Sequence, residues 1–126
     1  MKLKELAPDL ETRSSLKSGL LERVLSIKDK EVAELSHSEL AFCLRQKIAV
    51  SELAPKAIAL LEDNPFFEVE YYPGDLLSAV LSATGELGPD LRTRVFEVCC
   101  DFDAGLSTLN ESVMPEVRSY LENPGT

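Results

Sequence analysis

The sequence predicts an all-α fold, a compact single-domain bundle over residues 1–126 made of five or six short helices, with one extended connection near residues 66–72. Three observations predict it. Apolar residues recur at three- and four-residue intervals along most of the chain, the period of a helix with one buried face. Serine, asparagine, proline and glycine punctuate those stretches where helix starts and stops are expected. One segment alone alternates with period two, and no second segment offers itself as a strand to pair with it.

Pro8 and Asp9 open a first helix over residues 9–26, in which Leu16, Leu20, Val24 and Ile27 recur at helical intervals. Polar Lys28 to Glu31 ends it, and Val32 to Leu35 fit one helical turn. Ser36-His37-Ser38-Glu39 is a capping box, in which the Ser36 hydroxyl and the Glu39 carboxylate each satisfy an amide that the first turn leaves free. The helix that follows carries Leu40, Cys43, Leu44 and Ile48 on one face. Ser51-Glu52-Leu53-Ala54-Pro55 begins the next, with the proline expected in the first turn, where the amide it lacks would have no partner. Pro55 to Leu61 is apolar nearly all round and marks the centre of the domain; Asn64-Pro65 stops it.

Phe66 to Tyr72 sets Phe67, Val69 and Tyr71 opposite Glu68, Glu70 and Tyr72. The pattern fits an extended connection, with an isolated edge that accepts a partner strand as the lesser possibility. Pro73-Gly74-Asp75 opens a helix with Leu76, Leu77, Val80 and Leu81 inward and Asp75 toward the positive end of its dipole. Gly85 and Gly88 end it. Pro89-Asp90 starts another that runs through Leu91, Val95, Val98, Cys99 and Phe102. Gly105 is expected to break the chain, Asn110 to cap a last helix with Val113, Val117, Tyr120 and Leu121 inward, and Asn123-Pro124-Gly125 to close it.

A chain of 126 residues buries about two thirds of its extended surface on folding, enough for one core. No apolar run approaches the roughly 18 residues of a membrane span. The amino terminus, Met1 to Leu10, alternates Lys and Glu and lacks the apolar stretch of a secretory signal, so a cytoplasmic location is expected. Thirteen Lys and Arg against 22 Asp and Glu leave a net charge of −9. That sign argues against direct contact with nucleic acid or an anionic membrane, both of which need bases. The charge is uneven: residues 1–63 carry net −1 and residues 64–126 net −8. An acidic field of this kind speeds encounter with a basic partner.

Catalytic sets are missing from the pattern. His37, the sole histidine, sits inside the capping box and is expected as an exposed first-turn residue rather than a general base. Cys43, Cys99 and Cys100 are odd in number and lack metal-site spacing; they are expected as reduced thiols, Cys100 the most exposed. Asp101 and Asp103 flank Phe102, but residues two apart face away from each other on a helix, which favours surface charge over a metal site. Glu68 and Glu70 lack the saccharide cleft that paired glycosidase acids need. No cofactor is expected. What remains is a recognition surface in which Tyr71 and Tyr72 combine rigid aromatic area with the charge of Glu68, Glu70 and Asp75. An acidic helical adaptor for a basic cellular protein is one function such a surface serves.

The same surface carries a family resemblance. Pro55-Lys56-Ala57-Ile58-Ala59-Leu60-Leu61-Glu62-Asp63-Asn64-Pro65 followed by Tyr71-Tyr72-Pro73-Gly74-Asp75-Leu76-Leu77, with Leu44-Arg45-Gln46-Lys47-Ile48 upstream, resembles immunity proteins of bacterial contact-dependent growth inhibition systems over about residues 35–85. The resemblance implies a small helical, cytoplasmic, non-enzymatic protein. Its implied partner is the toxic carboxy-terminal domain of an effector delivered by a neighbouring cell, often a nuclease, which it binds and neutralises. The contact is expected at Glu68, Glu70, Tyr71, Tyr72 and Asp75, with Asp101 and Asp103 on the rim.

Overall fold

The structure is a computed structural model that describes residues 1–7 and 18–125, and every element named below belongs to them. In order these are α1 (Leu3–Leu6), α2 (Ser18–Ile27), a 3₁₀ turn (Val32–Glu34), α3 (His37–Arg45), α4 (Val50–Asp63), α5 (Asp75–Ser82), a second 3₁₀ turn (Thr84–Glu86), α6 (Pro89–Thr108), a π-helical turn (Leu109–Val113) and α7 (Met114–Glu122). The architecture is all-α. The part of the first expected helix that precedes Ser18 lies outside the described residues. No helical signal marked α1. It is held by the burial of Leu3 and by the amides of Leu3 and Lys4, which donate to the carbonyls of Lys30 at 3.0 Å and Lys28 at 2.9 Å.

The core forms where α3 packs on α5 and α4, and where α4 packs on α5 and α6. As expected, α4 is its centre, with Leu53, Ala54, Ala57, Ile58 and Leu61 all buried. The capping box is formed: the Glu39 amide donates to Ser36 Oγ at 3.1 Å, and the Ser36 amide donates to Glu39 Oε1 at 2.9 Å. Lys30 Nζ donates to the other oxygen of Glu39 at 2.8 Å, tying the end of α2 to the start of α3.

Several expectations are corrected. Helix α4 begins at Val50, so Pro55 is its sixth residue and stands in the second turn rather than the first. The early start follows from the α3–α4 turn, where Lys47 and Ala49 adopt φ of 57° and 50° and drop Ile48 fully into the core. In α5, Leu76, Leu77 and Val80 are buried, but Leu81 stays exposed; small Ala79 and Ala83 fill the inward positions that let α5 approach its neighbours closely. The helix ends at Ser82, ahead of Gly85.

Gly105 does not break the chain. Helix α6 runs through it to Thr108, and the ring of Phe66 occupies the space beside the glycine: a Cβ there would lie 3.0 Å from Phe66 Cε2. Asn110 sits within the π-turn and caps nothing. The backbone stays helical from Pro89 to Glu122, so the last helix has no bend with which to fold back. Val113, Val117, Tyr120 and Leu121 consequently face solvent instead of the core. The chain exposes 7659 Å², against roughly 6,700 Å² for a compact protein of this mass, and the projecting arm contributes to the excess.

Candidate functional site

The connection between α4 and α5 is built from its ends inward. At the α4 end, the Phe66 amide donates to Asn64 Oδ1 at 3.1 Å and the Phe67 amide to the Asn64 carbonyl at 3.1 Å. At the α5 end, the Gly74 amide donates to the Phe66 carbonyl at 3.1 Å and closes the loop. Gly74 has φ +91°, and a Cβ there would stand 3.2 Å from Phe102 Cε2. Only glycine meets both conditions at low cost.

Asp75, the first residue of α5, is fully buried. Its carboxylate accepts three consecutive amides, from Val69 at 2.8 Å, Glu70 at 3.0 Å and Tyr71 at 2.8 Å. Burial taken alone would raise this carboxyl. The amides of Tyr71, Val69, Glu70 and Tyr72 outweigh it and hold the group below its ordinary value, as hydrogen bonds to a charged form do. Arg45 Nη2 donates to the Asp75 carbonyl at 3.2 Å, so α3 braces the same point. Two ring contacts fix the loop's flanks. Phe66 stacks on Phe102 with centroids 4.5 Å apart, and Phe67 meets the edge of His37 at 5.2 Å.

With three amides turned inward on one carboxylate, Val69 packs against the core while Tyr71 and the following Tyr72 turn outward. Tyr71 is 66% exposed and Tyr72 50%, next to exposed Glu68. The period-two expectation is therefore corrected: the chain winds around Asp75, no strand forms there, and Tyr71 stands outside with Tyr72 rather than inside with Phe67 and Val69. Glu70 is partly shielded, its Oε2 3.7 Å from Arg23 Nη2, which also donates to Ser38 Oγ at 3.1 Å while its guanidinium lies over the Phe42 ring. Asp75 lies beneath the face rather than on it, and its carboxylate shapes the surface without reaching a partner.

The Phe66–Phe102 stack and the Gly74–Phe102 contact bring α6 against this loop. Helical geometry then separates the two aspartates, both exposed. Asp103 follows Cys99 by one turn, and Cys99 lines a groove with Tyr72, Gly74, Leu77, Leu81 and Phe102. Asp101 falls on the line of Arg94, seven residues before it. Arg94 points toward α4, where its Nε donates to Glu62 Oε2 at 3.0 Å and its Nη2 pairs with Glu62 Oε1. Helical spacing thus puts Asp103 on the Cys99 side of α6 and Asp101 on the Arg94 side.

Sequence reasoning missed the apolar side of this groove. Leu81 and Phe96 are exposed and line its continuation toward Thr84 and Arg92. Phe96 could have been found, because it stands off the stripe of Val95, Cys99 and Phe102 and an outward aromatic on a helix is unusual.

The remaining candidates are placed as follows. His37 is exposed, as expected, and pins Phe67. The three cysteines are free; Cys43 is buried, which pushes its thiol up to about 12, burial also raises Cys99, and Cys100 is exposed. Among the described residues no three His, Cys, Asp or Glu side chains gather closely enough to hold a metal ion, and no helix is long and apolar enough to cross a membrane.

Comparison with known protein families gives a match. The family model of the CDI immunity proteins matches residues 5–92, from α1 to the first turn of α6, and so includes the whole Asp75-centred loop. No curated protein and no solved structure matches the chain.

Proposed function

The chain belongs to the CDI immunity proteins, those of contact-dependent growth inhibition, and on that premise we propose that it neutralises its cognate toxin through the face made by Glu68, Tyr71, Tyr72 and Asp103. In this reading Glu70 is held half-shielded by Arg23 beside that face, Asp75 works as the positioning residue beneath it, and Asp101 flanks it from the α4 side. The toxin is a nuclease with a basic surface, since an enzyme that holds phosphates needs Lys and Arg, and a half-chain of net −8 suits such a surface.

The observation that carries this proposal is the nest of three amides on the Asp75 carboxylate. It presents two tyrosines to solvent on a backbone held by three hydrogen bonds to one buried carboxylate. Ordering costs are thereby met before binding, and tyrosines on rigid supports are where interfaces concentrate their energy. The groove between α5 and α6 beside Tyr72 provides a recess for an apolar side chain of the toxin.

The test is binding of the toxin domain encoded beside this gene, measured at about 50 mM and about 500 mM salt. The complex should weaken with salt. Tyr71→Ala and Tyr72→Ala should each weaken it by about 30-fold, and Glu68→Lys should slow association and flatten the salt dependence. A Tyr71→Ala/Tyr72→Ala double variant that binds and protects like the unaltered protein would overturn the assignment of this face.

A further inference from the structure

From Phe102, whose ring is partly covered by Phe66, the helix carries an apolar seam that beyond Gly105 the described body does not cover. Phe102, Leu106, Leu109, Met114, Val117 and Leu121 are separated by four, three, five, three and four residues. An α-helix keeps steps of three and four on one face, whereas a step of five swings the side chain by about 140°. The π-turn at Leu109–Val113 falls inside that step of five. It accommodates one extra residue, so the step acts as a four and the seam continues as an alternation of three and four, the pattern of a pairing helix. Leu106, Leu109, Asn110 and Met114 accordingly line one concave patch. Leu106, Leu109, Val117 and Leu121 remain between 40% and 70% exposed.

The spacing reads the same from either end, which is what a two-fold contact between identical surfaces requires. An antiparallel copy centred on the π-turn sets Leu106 against Val117, Leu109 against Met114 and Leu121 against Phe102. The edge of the seam is self-complementary too. Asp103, Asn110 and Arg118 each follow a seam residue by one. In the antiparallel pair Arg118, the one base after Arg94, meets Asp103 of the copy on both sides of the axis, and Asn110 lies beside its own counterpart. The seam with its neighbours Val113 and Tyr120 leaves roughly 600 Å² open per arm, so pairing would bury about 1,200 Å² in all, the lower end of what a specific interface needs.

We propose that the carboxy-terminal arm is a homodimerisation helix, pairing antiparallel with the arm of a second copy about an axis at the π-turn. The proposal shares Asp103 with the toxin face, so it is read without toxin, through self-association alone. Sedimentation of the full chain at about 50 μM should give a mass near 28 kDa, twice the 13.9 kDa of one chain. Leu109→Glu, which places a carboxylate of each copy at the centre of the seam, should weaken association by about 100-fold and leave the body's helix content unchanged. Asp103→Arg and Arg118→Asp should each weaken it by about 10-fold, and the double exchange should restore it, fixing the register. A monomer at about 200 μM, a dimer indifferent to Leu109→Glu, or a double exchange that fails to restore association would each overturn the proposal. So would an arm whose amides become protected from exchange only when the toxin domain is added, since that would hand the seam to the toxin.

Discussion

Asp75 joins three functions in one side chain: it starts α5, neutralises three amides of the preceding loop, and sets the outward direction of the tyrosines. Replacing it by Asn swaps an acceptor oxygen for a donor facing donors. The buried amides of Val69, Glu70 and Tyr71 then lose part of their satisfaction, and stability should fall by about 2–3 kcal/mol. Toxin affinity should fall as well, although the residue is fully buried. The pH dependence has a definite sign. A carboxyl held below its ordinary value in the folded state contributes stability that is present above the unfolded value of about 3.9 and is lost as the pH falls through the folded value. Urea unfolding from about pH 6 downward should therefore show a steeper acid loss in the unaltered protein than in Asp75→Asn, which no longer carries the linkage. Equal slopes would show that the three amides do not govern the titration. Ala49 supplies a second residue-scale test. Its φ of 50° is a conformation that costs a residue with a Cβ about 1 kcal/mol, and Ala49→Gly should recover roughly 0.5 kcal/mol of it after the added freedom of the unfolded chain is counted. Thermal unfolding would read this as a rise of the midpoint.

Between elements, the joint that matters most is the packing of the α4–α5 loop on α6 through Phe66, Phe102, Gly74 and Gly105. An exposed helix glycine replaced by alanine ordinarily gains about 1 kcal/mol. Here the new Cβ would come within 3.0 Å of Phe66 Cε2, so Gly105→Ala should show no gain, while the same change in a Phe66→Leu background should show it. Additive effects in that double-mutant cycle would mean that the ring does not depend on the glycine. Gly105 also illustrates what the chain made legible and what it did not. The Ser36–Glu39 capping box was readable because both of its bonds close within three residues. The centre at α4 was readable because apolar residues surround it, and the all-α architecture because helical period dominates. Gly105 was misread as a break because its reason is a ring 39 positions earlier in the chain. The winding of residues 69–71 was misread as alternation because the carboxylate that organises it comes after them and belongs to the next helix. Within the candidate site, Tyr72 was readable as an outward aromatic among charges, whereas alternation put Tyr71 on the inner side and the burial of Asp75 was decided by the hydrogen bonds it collects. The face of Val113, Val117 and Leu121 was correctly apolar, but periodicity identifies a face without naming what covers it.

At the scale of the whole molecule, the body and the arm are physically separate. Among the described residues no side chain is buried beyond Val98, and the toxin face proposed above is complete by Asp103. A chain that ends after Ser107 should therefore keep the body's packing, with an unfolding midpoint at low concentration within about 2 °C of the full chain, since it loses less than about 1 kcal/mol of burial. Concentration separates the two forms. If the arms pair, the full chain gains stability by mass action and its midpoint climbs as the protein is concentrated, while the shortened chain's midpoint stays constant. A drop of more than about 5 °C on shortening, already present at low concentration, would mean instead that the arm stabilises the body of its own chain. Toxin binding gives the complementary reading: the shortened chain should retain the affinity and salt dependence of the full chain, because the acidic and aromatic groups that make the face stand on the α4–α5 loop and on the part of α6 that the loop packs against.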